Sequence, residues 1–135
     1  MRLLLDTHAL LWWLEGDARL GPAACALIGD PATEALVSVV SLWEIVVKLR
    51  VGKLRADIGE IEAAVDRDGF ARLGLERTHR AVLADLPRLP DHRDPFDHLL
   101  VAQAIAESAT LMTEDRNARR YPVDVLCCSS GRPAP

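Results

Sequence analysis

Short apolar runs, too brief to be helices, alternate along this chain with stretches of helical spacing, and no other feature constrains the fold as tightly. Leu3–Leu5 is one such run and the β-branched Ala35–Val40 is a second, and both read as buried strands. Phe70–Leu73, Thr110–Met112 and Val123–Leu126 add three short strands. Between them lie helical patterns: His8–Glu15 stopped by Gly16, Pro22–Ile28 closed by Gly29 and Pro31, and Ser41–Val51 ending at Gly52. Ile58–Val65 has apolar residues at helical spacing, Thr78–Leu86 is stopped by Pro87, and Asp94–Ser108 is the longest apolar helix. A short helical turn is expected at Arg116–Arg120. Strands that alternate with helices predict an α/β fold, a central parallel β-sheet flanked by α-helices. No repeat, linker or low-complexity block interrupts the pattern. Residues 1–128 therefore read as a single domain, and the polar, Pro-containing stretch 129–135 reads as a disordered tail.

Totals exclude several functions. The net charge is -4, from 20 acidic and 16 basic residues. That argues against binding nucleic acid through a bulk positive field, but leaves room for a nuclease whose charge is supplied locally by a metal. Three cysteines, none in a CxxC pair, argue against a disulfide framework or a zinc site and fit a reducing cytoplasm. The N-terminal LLL is interrupted by Asp6 and His8, so it is no secretory signal, and no apolar run has the length of a membrane span.

The acids are the informative residues. Asp6 follows the first strand, Glu44 follows the second within the expected first turn of its helix, and Asp115 follows the strand TLMT. In a parallel sheet, such strand ends share one edge, where α/β folds build their sites. Asp97 opens the long helix that leads into TLMT, and it joins the others if that helix end tucks over the same edge. Each acid also has a plain structural role. Ser41-Leu42-Trp43-Glu44 matches a capping box, and Asp94 with Pro95 and Asp97 matches a helix start. Asp115 can cap the turn at Arg116, and Asp6 can close the strand. A cap contributes about 1 kcal/mol. Two charges ~4 Å apart repel by roughly 4 kcal/mol at an effective dielectric near 20, so clustered carboxylates need protons or a hard cation. Oxygen ligands without cysteine or a histidine cluster select Mg2+ or Mn2+.

Four segments in order, LLLDTHALLWW, SVVSLWEIVVKLRVGKL, LPDHRDPFDHLLVAQA and LMTEDRNARRYPVDVL, resemble the PIN-domain ribonucleases, and among them the VapC toxins of type II toxin–antitoxin pairs. The resemblance covers nearly the whole chain. It implies a PIN-like fold and Mg2+- or Mn2+-dependent endonuclease activity on RNA. It also implies a VapB-type antitoxin as partner and a homodimer. Carried over by position, Asp6, Glu44, Asp97 and Asp115 are the catalytic and metal-binding acids, and Thr7 and Thr113 are the hydroxyl residues beside them. Asp94 is then the N-cap, able to reach a metal through water.

The remaining residues divide less sharply. Lys48 and Arg116 are the candidates for holding RNA phosphates, against a reading as part of a solvated basic face. His8, His79, His92 and His98 lack ligand spacing and read as structural or exposed, with His98 expected to point away from the acids. Trp12 and Trp13 cannot both face inward from one helix, which leaves one for a partner. An aspartyl phosphotransferase is disfavoured because His8 stands where D-x-D needs its second acid, and a receiver domain lacks its paired acids and late lysine. The non-enzymatic rival is a degenerate PIN domain that only binds RNA or protein.

Overall fold

Five parallel strands form one sheet in the order β3-β2-β1-β4-β5. They are β1 (Arg2–Leu5), β2 (Glu34–Ser38), β3 (Ala71–Leu73), β4 (Thr110–Met112) and β5 (Val125–Leu126). The helices are α1 (Thr7–Glu15), α2 (Pro22–Gly29), α3 (Val39–Arg50), α4 (Ile58–Arg67), α5 (Arg77–Asp85) and α6 (Pro95–Ala106), with a 3-10 turn at Arg116–Arg120. The computed structural model describes residues 1–133. Among these, no helix is long and apolar enough to cross a membrane.

The central strands β1, β2 and β4 are buried on both faces, as parallel sheets require, while the edge strand β3 is partly exposed. Leu3 and Leu5 project to one side, where they pack with Leu10, Ile28, Ile45 and Val65 from α1 to α4. Leu4 and Leu36 project to the other, against Leu100, Val101 and Ala104 of α6 and Tyr121. That period of two explains why so short a run as LLL carries a core. Helix α6 is buried over Leu99–Ala104 without a break, sandwiched between the sheet and α5.

The chain fills the sheet outward from β1 through β2 and β3, then returns to the other side of β1 for β4 and β5. The strand order therefore reverses between β1 and β4. At such a switch point the connections leave in opposite directions and open a crevice past the strand ends. Register keeps those ends level: Leu5 pairs with Val37 and with Met112, and Met112 with Leu126.

Two expectations change. The second strand stops at Ser38 rather than Val40, because Ser38 begins α3 as its N-cap, its Oγ accepting the Val40 N–H at 3.0 Å. Residues 129–133, expected to be disordered, fold back on the domain. The Ser129 hydroxyl and N–H bond to Glu114, Pro133 bridges to Leu126, and Gly21 donates its N–H to the Cys128 carbonyl at 2.9 Å. A Cβ on Gly21 would sit 2.1 Å from the Ser129 carbonyl oxygen, so only glycine permits this close approach. Residues 134–135 of the expected tail lie outside the described residues.

Candidate functional site

Asp6 sits at the switch point. Its backbone N–H donates to the Met112 carbonyl at 3.1 Å, and its carboxylate accepts the Ala9 N–H at 2.8 Å, capping α1. The helix therefore starts one residue before the expected His8. The Thr113 hydroxyl also bonds the Asp6 carboxylate, while Thr113 Oγ1 accepts the Asp115 N–H at 3.0 Å. One threonine thus ties together the segments that follow β1 and β4. Asp115 in turn caps the 3-10 turn by accepting the Asn117 N–H at 2.9 Å.

Glu44 reaches the site differently from the sequence reading. With Ser38 as the cap, Glu44 lies in the second turn of α3, and the capping box at Ser41–Glu44 does not form. Ser41 is instead buried beside Thr7, their hydroxyl oxygens 3.2 Å apart. The Thr7 hydroxyl donates to Glu44 Oε1 at 2.6 Å, and Lys48 Nζ lies 3.0 Å from Oε2. Lys48, a candidate for substrate phosphates, lies one helical turn on and pairs with Glu44. That pairing neutralises a carboxylate that is only 6% exposed.

Asp94 is the N-cap of α6, accepting the Phe96 and Asp97 N–H groups at 2.9 and 3.3 Å, with Pro95 at the first helical position. Asp97 follows in the first turn, as expected. Asp94→Asn keeps the cap and removes a charge that pushes the Asp97 carboxyl up. The variant is expected to melt within about 0.5 kcal/mol of the parent, with Asp97 titrating lower by NMR and activity retained; Asp94→Ala should lose about 1 kcal/mol. Activity lost in the Asn variant would make Asp94 more than a cap.

His92 is the residue that sequence reasoning missed. It is buried, and its Nε2 lies 3.3 Å from both Asp97 Oδ2 and Asp115 Oδ2, while Nδ1 lies 2.8 Å from the Tyr121 hydroxyl. Its neighbour in space, His98, bonds the His92 carbonyl and packs edge-on against its ring. His92 lies in the α5–α6 loop, five residues before Asp97, a spacing that no helical rule flags. The available hint was its place beside Asp94 and Asp97 in HRDPFD.

The four acids share one field. Burial pushes the Asp6 carboxyl up to about 6, and the charges of Glu44 and Asp115 add to it, against hydrogen bonds from Thr113 and Ala9 that pull it down. Asp97 is also raised to about 6, by burial first, then by Asp94, Asp115 and Glu44, with the His92 hydrogen bond opposing. Asp6, Glu44, Asp97 and Asp115 thus act on one another electrostatically, and among the described residues the side chains close enough to share one ion are His92, Asp97 and Asp115. Beside them, Arg116 is exposed and borders a groove of about 450 Å³ that Thr113, Asp115 and Cys127 also line. Trp12 and Trp13 both pack on their own chain, Trp12 under the Arg19 guanidinium and Trp13 edge-on to Phe70 with its indole N–H on Asp68. The exposed tryptophan is Trp43.

The family model for the PIN domain matches residues 3–124. The chain belongs to the PIN domain family. Ribonuclease VapC22 of Mycobacterium tuberculosis is 29% identical to it over 121 residues, 88% of this chain and 91% of that protein. Among solved structures, VapBC2 from Rickettsia felis bound to a promoter DNA fragment superposes with a TM-score of 0.72 at 17% identity, over 94% of this chain and 98% of the other. FitAB bound to the IR36 DNA fragment gives 0.66 at 18% identity, over 94% and 95%. At these identities the two structures establish the PIN fold, and the matched span of this PIN domain contains all four acids and His92.

Proposed function

We propose that this PIN domain is a VapC-like toxin, a Mg2+- or Mn2+-dependent endoribonuclease held in check by a VapB-type antitoxin. What supports the reading is the electrostatic coupling of Asp6, Glu44, Asp97 and Asp115 past the strand ends, with Asp6 and Asp97 pushed up to about 6. The part of that rise that comes from neighbouring carboxylates is relieved by a cation between them, and carboxylate oxygens favour a hard divalent ion. The residues present therefore fit such an ion. Asp6, Asp97 and Asp115 would hold it, and Glu44 would complete the set. When bound, the ion activates water and offsets phosphate charge in phosphodiester hydrolysis. The chain's own groups do the positioning. Thr113 fixes Asp6 relative to Asp115, Thr7 and Lys48 fix Glu44, and Asp94 fixes the turn that carries Asp97. Arg116 is placed to meet a phosphate of the RNA.

The name of the Mycobacterium relative supports the ribonuclease reading, and the two-component relatives support an antitoxin partner. Trp43 is 57% exposed, stacks edge-on with Phe96 and lies near exposed Val39, an apolar surface suited to a homodimer or antitoxin contact. The three free cysteines support a reducing cytoplasm as the place where the domain would meet RNA.

The test is induced expression in a bacterial host, wild type against Asp6→Asn, with sequencing of RNA 5′ ends. Growth arrest that needs Asp6, with new discrete ends, is the expected result. Purified protein should cleave RNA with Mg2+ or Mn2+ and stop with chelator. Equal cleavage by the variant, or no cleavage with either metal, would overturn the reading in favour of a domain that binds without cutting.

A further inference from the structure

We propose that His92 is a nitrogen ligand in the metal site, which tunes this PIN domain toward a transition-metal ion, Mn2+, over Mg2+; the inference rests on the metal-dependent reading above. Three observations support it. His92 Nε2 and one carboxylate oxygen each from Asp97 and Asp115 lie within 4.8 Å of one another, a set that can hold one ion. The nitrogen is 3.3 Å from each oxygen. Adjacent ligands about 2.1 Å from an octahedral ion stand roughly 3 Å apart, so the three atoms need little movement to close on one. The imidazole is also held from behind. Nδ1 meets the Tyr121 hydroxyl at 2.8 Å, and the ring is wedged edge-on against His98.

Tautomer chemistry permits both states. Without metal, Nε2–H donates to Asp97 Oδ2 with Asp115 Oδ2 3.3 Å away, and Nδ1 accepts the Tyr121 O–H. With metal, Nε2 must be bare and Nδ1–H must find an acceptor. A tyrosine hydroxyl donates or accepts by rotation, so Tyr121 serves in either state. A ligating histidine usually passes its other N–H to such an oriented oxygen. Mg2+ prefers oxygen ligands, whereas an imidazole in the set raises affinity for later ions in the divalent series. Asp6 and Glu44 then complete a mixed nitrogen–oxygen site.

Pulsed EPR of Mn2+ bound to the full chain decides it. Wild type should show 14N coupling to the bound Mn2+, replaced by a 15N pattern when the protein is grown on [15N]histidine. That arm needs no variant. His92→Gln should lose the coupling and lower the preference for Mn2+ over Mg2+, measured by calorimetry, at least about tenfold. Mn2+ bound in wild type without histidine coupling would overturn the proposal, making His92 a hydrogen-bond donor only and leaving the ribonuclease reading intact. Failure of wild type to bind either ion would overturn both.

Discussion

Asp6→Asn is expected to abolish metal-dependent cleavage, a loss of at least about a hundredfold, and at the same time to stabilise the metal-free protein. The two effects share one cause. Asp6 is 8% exposed, and burial together with Glu44 and Asp115 raises its carboxyl from 3.8 to about 6. At neutral pH the folded state carries a charge that the unfolded chain carries more cheaply, a difference of order 3 kcal/mol. Asparagine is neutral and still offers an oxygen to the Ala9 N–H, so the cap survives. A gain of about 1–3 kcal/mol follows, a rise in Tm of very roughly 3–10 °C for a domain of this size.

The pH dependence fixes the sign. Because the folded-state value lies above the unfolded one, the native protein binds more protons between pH 3.8 and about 6. Stability therefore falls as pH rises through that window and stays lower above it. The advantage of Asp6→Asn should be small near pH 4 and full by pH 7. Saturating Mg2+ or Mn2+ should stabilise the wild type by about 2.7 kcal/mol at a hundredfold excess over Kd, with a matching rise in Tm, and leave the variant nearly unmoved. Melts with and without chelator across pH 4–8 test all of this. An Asn variant less stable than wild type at pH 7 in chelator would show that Asp6 is not under electrostatic strain.

What the sequence revealed and what it hid follow from the range of the forces involved. The strands at Leu3–Leu5 and Thr110–Met112 and the cap at Asp94 are legible because their signals are local: a brief apolar run, or Asp-Pro before a helical period. The acids after β1 and β4 were placed by topology alone, since any parallel sheet sends those ends to one edge. The start of α3 was not legible. Val39 and Val40 are β-branched and continue the strand pattern, and Ser41 has the better local capping box. Ser38 prevails because Gln103, distant in sequence, holds its hydroxyl. His92 was hidden for a related reason. Its loop is positioned by packing between Tyr121 and His98, partners set by the tertiary fold.

Gln103→Leu is expected to cost about 1–3 kcal/mol and to loosen the site from a distance. Gln103 is fully buried in α6, where an apolar residue would match its neighbours Ala102 and Ala104. Its Oε1 accepts the Ser38 hydroxyl, and its Nε2 lies 3.1 Å from the Gly74 carbonyl and 3.3 Å from His79 Nδ1. His79 Nδ1 also accepts the Glu76 N–H at 3.0 Å, so the proton sits on Nε2 and goes to Glu107 at 2.8 Å. One amide thus joins the β2–α3 junction, the β3–α5 loop, α5 and α6. Leucine fills the volume but strands the buried Ser38 hydroxyl proton, at a cost of about 1–3 kcal/mol where water cannot reach, while the Gly74 carbonyl lies in an exposed loop and turns to water. Ser38→Ala removes the stranded hydroxyl but also the cap on the Val40 N–H, so the double variant with Gln103→Leu should lose less than the sum of the two single losses. Ser38 caps the helix that carries Glu44, so cleavage by Gln103→Leu should fall at temperatures where the domain is still folded. Chemical denaturation of the two single variants and the double variant measures the coupling. If Gln103→Leu melts within about 2 °C of wild type, or if the losses simply add, the amide is a packed side chain and the network does not hold α3 in place.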